Sequence, residues 1–511
     1  MPVITLQLGQ CGNQLGYSFF SALASELSAS DYGAEAVHEY FRPGPDASTF
    51  TARSVLIDME PKVVAGSCAA AEASGGWWRY PPGGCLVMQS GSGNNWAQGF
   101  HGYGPTVHEA ALELVRREVE AADSLTGFLL LQSMAGGTGA GLGTYVAQAL
   151  RDEYHSAIIT NCCVWPYESG EVIVQPYNTL LTLSHLADLS DGCVLLENEA
   201  LHRTAAKLMG IARPTFGDIN TIAARALASL LLPSQTRKPG SGAPQGQGQG
   251  QGQGPHGRGA PGAAGGGGPG QLPALRRTGS GSGSSPGSAA GAPPPGPPAG
   301  GGRPPPCSTS PLLDLVTHLC PHPAYRLLTL RAIPQLPPAS IDFTTFTWPA
   351  ILKRLRQMLI TGSVLEEGMD WSVTSNSPGA GQPTYASAQA GGGGGARSNR
   401  AVASWLVLRG QGAADVDASD FADPALHTPW AVDPLAVSYS AHKFGRCLMS
   451  ASLLSNDRRC VGPIQRMQEH AYGMLASRAY VHQYEKYGMG VSDFEACFAR
   501  IEDIAQHYSM L

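Results

Sequence analysis

The stretch Phe128-Leu129-Leu130-Leu131-Gln132-Ser133-Met134-Ala135-Gly136-Gly137-Thr138-Gly139-Ala140-Gly141 decides the fold. Its apolar start predicts a buried strand, and the pattern over 142–154 predicts an amphipathic helix. Between the two, glycines remove side chains so that backbone N–H groups can close around an anion. The positive end of the following helix adds to that attraction, which makes such a turn a phosphate cradle. No Gly-Lys-Ser/Thr follows, so the loop is not a Walker sequence. Its spacing is not the dinucleotide pattern Gly-x-Gly-x-x-Gly either. A plain tight turn is the alternative that glycines alone leave open.

Two further turns share this character. Residues 3–8 alternate like a strand and lead through Gly9-Gln10-Cys11-Gly12-Asn13-Gln14 to a helix expected over 15–27. Ser90-Gly91-Ser92-Gly93-Asn94-Asn95-Trp96 again sets small residues and amides after an apolar stretch. Three strand-to-helix turns of this kind predict a parallel sheet that binds its ligand at the strand carboxyl ends.

These three segments resemble the nucleotide-binding loops of the tubulin superfamily. Ala135 and Ala140 stand where its signature Gly-Gly-Gly-Thr-Gly-Ser-Gly has a glycine and a serine. The resemblance continues through Pro176-Tyr177-Asn178, Glu197-Asn198-Glu199-Ala200-Leu201, Pro214-Thr215-Phe216-Gly217-Asp218-Ile219-Asn220 and Pro321-His322-Pro323. Within the superfamily the chain is similar to the delta-tubulin branch. That finer match rests on Ser133-Met134-Ala135-Gly136-Gly137, Thr344-Thr345-Phe346-Thr347-Trp348, Arg356-Gln357-Met358-Leu359 and Ala479-Tyr480-Val481-His482-Gln483-Tyr484. The implied fold is α/β and tubulin-like: a doubly wound parallel-sheet nucleotide-binding domain, a central helix, a second smaller α/β domain and a C-terminal helical hairpin.

Composition sets the outer bounds. The chain has 511 residues, 65 of them glycine and 39 proline. That excess is concentrated in 235–306 and, with the glycine run 391–395, in 375–398. Neither stretch carries enough apolar residues to offset its ordering entropy, so both are expected to be disordered. Together with the resemblance this implies a GTP-binding domain with its central helix over 1–233, an insert over 234–310, a second α/β domain over 311–455 and C-terminal helices over 456–511. Helices are expected at 218–232, 348–359, 463–487 and 492–508, and strands at 325–333 and 403–409. A net charge of −6 argues against a general nucleic-acid binder. No long apolar run suggests a membrane span, and no secretory leader is expected. Eleven cysteines without a C-x-x-C spacing fit reduced thiols in the cytosol rather than a zinc site. The sequence lacks the glutamate-rich tail of alpha- and beta-tubulins, so partners that read such a tail are expected to lose their handle.

Carried over residue by residue, the resemblance implies a GTP/GDP and Mg2+ site. Gln10, Cys11, Ser92, Gly93, Asn94 and Ser133 would surround the phosphates, with the backbone of Gly136, Gly137, Thr138 and Gly139. Asp58 and Glu60 match acids near the magnesium, acting through water as that ion favours; a helix or turn cap is the other reading of Asp58. Glu171 falls near the ribose. Asn198 and Asn220 match two asparagines against guanine, whose N–H donors and O6 acceptor suit a carboxamide. Phe216 stands where a tyrosine stacks on the ring, or else is a plain core aromatic.

Asp314 aligns with the acid that completes hydrolysis on a neighbouring subunit's nucleotide. It is one methylene shorter than the usual glutamate, and a helix-start aspartate is the alternative. The resemblance further implies longitudinal contacts with alpha/beta-tubulin and other centriolar tubulins. The expected setting is the cytoplasm and cytoskeleton, at centrioles, basal bodies and cilia, in forming or keeping triplet microtubules. A GTP-bound structural or capping factor that never hydrolyses is the competing function. A nicotinamide-dependent oxidoreductase is disfavoured, since the first strand lacks the glycine spacing and the later acid that such enzymes need.

Overall fold

The computed structural model describes residues 2–30, 32–44, 46, 49–170, 172–237, 311–375 and 398–511. The expected disorder of 238–310 and 376–397, and the ribose assignment of Glu171, lie outside these residues. The strands of the first half are β1 Val3–Leu8, β2 Phe41–Pro43, β3 Phe50–Ala52, β4 Ser54–Asp58, β5 Trp78–Arg79, β6 Cys85–Val87, β7 Gly127–Ser133, β8 Ile158–Trp165 and β9 Gly192–Glu197. Those that follow are β10 Gln235–Arg237, β11 Leu327–Ile333, β12 Ala401–Gly410, β13 Leu435–Ser440 and β14 Met449–Asp457. The helices are α1 Gly9–Ala29, α2 Ala34–Tyr40, α3 Pro61–Ala73, α4 Gly104–Glu120, α5 Gly143–Glu153, α6 Gln175–Leu189, α7 Asn198–Arg203 and α8 Phe216–Leu231. Then come α9 Pro311–Leu319, α10 Pro338–Ile341, α11 Trp348–Thr361, α12 Val461–Ala476, α13 Val481–Glu485 and α14 Val491–Ser509.

Eleven strands form one sheet in the order β10-β13-β12-β14-β11-β9-β8-β7-β1-β4-β6. From β6 to β11 every neighbouring pair is parallel. Strand order reverses beside β1, where a doubly wound sheet opens its crevice at the strand carboxyl ends. Strands β1 and β4 are buried along their whole length, as strands covered on both faces must be. One core lies under α4, α5, α6, α12 and α14, and a second lies under α1, α3, α8 and α9. A third, around Leu355, Met358 and Leu359 of α11, fills the later half.

The structure departs from the sequence expectations at several points. The halves expected as separate α/β domains share the sheet, because β11 pairs with β9 through Leu327 to Cys193 and Thr329 to Leu195. The first residues of the expected insert, Gln235–Arg237, form an edge strand on β13. The first helix starts at Gly9 rather than 15, since a φ of +71° at that glycine turns the chain in a single residue. The helix expected over 463–487 is two, α12 and α13, broken where Arg478 and Tyr480 adopt φ of 52° and 62°.

The central helix α8 has both ends fixed. At its start Thr215 and Asp218 form a reciprocal capping box, which moves the helix start two residues before the expected 218. At its end the buried Arg409 guanidinium from β12 donates to the carbonyls of Ser229 (2.5 Å), Pro233 (3.2 Å) and Leu232. A cation on the last carbonyls opposes the negative helix end.

Candidate functional site

The turns that follow β1, β6 and β7 lie along one edge of the parallel run, with β4 between β1 and β6, and they converge. They meet backbone to backbone. A Cβ on Gly9 would lie 2.7 Å from the Gly139 nitrogen, and one on Gly137 would lie 2.4 Å from Ser92 Oγ and 2.7 Å from the Asn95 carbonyl. One on Gly141 would lie 2.1 Å from the Trp96 carbonyl. These glycines are therefore required by loop-on-loop packing, a reason beyond anion binding. Gly136 differs: the nearest atom to a Cβ there is Asn94 Oδ1 at 3.8 Å, which leaves its side of the cradle open.

Gly93 and Asn94 take left-handed φ values of 56° and 54° in succession. Asparagine is among the few residues that tolerate this. The Ser92 and Thr138 hydroxyls lie 3.0 Å apart, and Ser133 Oγ accepts the Ala135 N–H at 3.2 Å. Gln10 is exposed, whereas the Cys11 thiol is pushed up to about 12 by burial and stays protonated. The expected phosphate-side residues thus come together, with Cys11 as a neutral packing group.

Asp58 ends β4 and is 4% exposed. Its Oδ1 accepts the Met59 N–H at 2.7 Å, but its Oδ2 is buried without a partner. Burial raises its carboxyl to about 6; the Met59 and Glu60 N–H groups pull it back and the Glu60 charge adds to the rise. Residue Glu60, with no side-chain cap bond, precedes Pro61 at the start of α3, so Asp58 is not that helix's cap. A buried carboxylate oxygen lacking a partner calls for a ligand. A hydrated divalent cation, with water between metal and carboxylate, has the chemistry to fill it. Glu60 is exposed and reaches toward Gly91, whose added Cβ would lie 2.5 Å from its Oε1.

Farther along the edge, Asn198 opens α7 and Phe216 opens α8. Phe216 is 58% exposed, which rules out the core-aromatic alternative. It lines a cleft of about 500 Å³ with Tyr167, His202 and Ile219, and the Tyr167 ring lies 6.4 Å from its own. Asn220 is one helical turn beyond Phe216 on α8, hence on the same side, and is 7% exposed. Asn198 is half-buried.

Asp314 is not brought to these loops. It sits half-buried in the first turn of α9. Asn456 Nδ2 donates to the Leu319 and Tyr325 carbonyls at 2.8 Å each, which pins the end of α9 beside the start of β11. Asp314 is five residues, roughly 7 Å, from that point, while strands of the length of β7 and β8 span roughly 25 Å. Asp314 therefore lies toward the sheet edge where the parallel strands begin, opposite the glycine loops. Trp430 packs on Tyr325 at that edge, and with Val432 it is largely exposed.

One residue of the site entered the sequence analysis only as part of the resemblance, with no role at the site. Asn178 on α6 is fully buried and uses its whole carboxamide. Nδ2 donates to the Asn94 and Ala135 carbonyls at 2.7 Å each; Oδ1 accepts the Trp96 N–H at 3.0 Å and the Tyr484 hydroxyl at 2.7 Å. The available signal is an amide in a helix whose residues Gln175 to Ser184 are all buried, where an unpaired carboxamide would be costly.

Residues 2–206 match the profile of the Tubulin/FtsZ family, GTPase domain. The tubulin delta chains of Canis lupus familiaris and Homo sapiens are 36% and 35% identical to this chain over 526 residues. That of Mus musculus is 36% identical over 523 residues. Each alignment covers 100% of both chains. Among the described residues, no helix is long and apolar enough to cross a membrane.

Proposed function

This chain belongs to the tubulin family, and from that premise we infer that the converging glycine loops hold a guanine nucleotide for assembly with other tubulins. The observation that carries this is the docking of three strand-end loops through Gly9, Gly137, Gly139 and Gly141, which leaves Gly136 and Asn94 facing an open side. The nucleotide phosphates lie against Gly136, Gly137, Thr138, Gly139, Gln10, Ser92, Gly93 and Asn94. The base stacks on Phe216 and is read by Asn198 and Asn220. Asp58 and Glu60 would hold a hydrated Mg2+, whose charge offsets that of the phosphates.

Similarity to delta chains over the full length supports a role in centriole and basal-body assembly, in triplet microtubules and hence in cilia or flagella. Alpha/beta-tubulin and other centriolar tubulins are the proposed partners, met through longitudinal contacts. The deciding experiment is to purify the chain, denature it and identify the released nucleotide. Bound GTP or GDP supports the site; an empty protein or an adenine dinucleotide overturns it.

The position of Asp314 favours a second reading in one respect. An acid at the far edge cannot serve its own chain's nucleotide, so a lone chain keeps GTP intact and behaves as a structural or capping factor. Turnover then requires a neighbour that presents its Asp314.

A further inference from the structure

The phosphate loops are tied to the C-terminal helices as well as to each other. Asn178 stands between them. On one side its Nδ2 holds the Asn94 and Ala135 carbonyls, from two of the three phosphate loops. Peptide planarity then turns the N–H of Gly136 away from Asn178, toward the open side of the cradle. A carbonyl facing that side would repel phosphate, so the amide sets the sign of the local field.

On the other side Oδ1 accepts the hydroxyl of Tyr484, the fourth residue of α13. Two more bonds run in parallel: Asn95 Nδ2 donates to the Gln483 carbonyl at 3.1 Å, and the Tyr177 hydroxyl donates to the Ala479 carbonyl at 3.2 Å. The segment receiving them spans α13 and the break before it, where Arg478 and Tyr480 hold left-handed φ values. Non-glycine residues keep that conformation only when the surroundings over-determine it. Tyr484 is fully buried, yet Ser477, Arg478, His482 and Gln483 are exposed on the outside of the same turn. The turn thus has a solvent face and a face bonded to the nucleotide loops.

We propose that Asn178 is a positioning residue for the nucleotide and that the Tyr484 hydroxyl couples the turn at 477–483 to nucleotide retention. This rests on the reading of the loops as a guanine-nucleotide site. Order at the turn and occupancy of the cradle then support each other, and the dependence is reciprocal.

The test uses the full chain loaded with a fluorescent GTP analogue in Mg2+ buffer, with release followed after chasing with excess GTP. Tyr484→Phe removes one hydroxyl and keeps the ring. Tyr508→Phe is the control, because that buried hydroxyl, also in the C-terminal helices, donates to Asn456 at 2.8 Å and accepts the Leu327 N–H at 2.8 Å, away from the loops. Loss of one buried hydrogen bond corresponds to about 3–10-fold in an equilibrium. Tyr484→Phe is expected to speed release by about that factor, while Tyr508→Phe stays within about twofold despite an equal or larger fall in melting temperature. Equal release from the two variants, or release from Tyr484→Phe at the wild-type rate, overturns the coupling. A wild-type chain that takes up no guanine nucleotide overturns the underlying reading of the site and the coupling with it.

Discussion

Asp58→Asn isolates a charge that the empty protein holds at a cost. Folding carries this carboxyl from 3.8 to about 6, chiefly through burial. At about 1.4 kcal/mol per tenfold, the shift corresponds to about 3 kcal/mol. Because the folded-state value is raised, the native state binds the proton more tightly than the unfolded chain. Stability is therefore highest below about pH 4, falls as the pH rises through about 6 and is flat beyond. Asparagine keeps an oxygen for the Met59 N–H but carries no charge, so its variant lacks this slope. The burial-raised Glu39, at about 8, contributes equally to both proteins and cancels in the difference.

The assay is thermal unfolding of nucleotide-free protein in chelator, from pH 4.5 to 7.5, for wild type and Asp58→Asn. About 2 kcal/mol of the total falls within this range, and a chain of this length has an unfolding entropy near 1 kcal/mol/K, so the wild type should lose about 2 °C relative to the variant. Adding Mg2+ and GTP should reverse the order, since the orphaned Oδ2 then has a partner and the asparagine offers none. Parallel pH curves, or a variant that retains the magnesium dependence of nucleotide binding, would refute the assignment of Asp58.

Other substitutions probe the remaining parts. Gly137→Ala places a Cβ within 2.8 Å of Ser92 and the Asn95 backbone; differential scanning should show a loss of about 1–3 kcal/mol together with loss of nucleotide. Gly66→Ala, in the exposed middle of α3 with nothing within 4 Å, should instead stabilise the chain by about 0.5–1 kcal/mol in the same scan. Phe216→Ala should weaken guanine-nucleotide binding by about 1–3 kcal/mol, measured by titration. It should leave the melting temperature of the empty protein unchanged, because the ring is already 58% exposed. Asp314→Asn should leave GTP binding by the isolated chain intact, while any turnover stimulated by a tubulin partner should fall about 100-fold or more in a phosphate-release assay. Unchanged stimulated turnover removes Asp314 from the chemistry.

What the sequence made visible was local. The glycine turns stand out because a positive φ or a close backbone approach limits the residue at one position, as at Gly9. The start of α8 was also within reach, since Thr215 and Asp218 carry the spacing of a capping box; the apolar pattern alone set it two residues late. The continuous sheet was not legible, because the pairing of Cys193 with Leu327 joins residues across the whole insert. Asn178 was illegible for a similar reason: its partners Ala135, Asn94 and Tyr484 lie 43, 84 and 306 positions away. The break at Arg478 and Tyr480 was hidden too, as both residues suit a helix and only tertiary bonds hold them out of it. For Phe216 the sequence offered two environments, and exposure chose between them.

The single sheet has one further consequence. Its strand-end loops face one way, and Asp314, Trp430 and Val432 lie toward the other. A contact that joins these edges pairs unlike surfaces, so it is heterologous and repeats head to tail rather than pairing two copies through the same face. A row of such molecules has a growth direction built into each member, with loops bare at one terminus and the Asp314 edge bare at the other. An agent that covers one terminus leaves the opposite one able to grow. A member altered on one edge alone stops the row in that direction while still joining from behind.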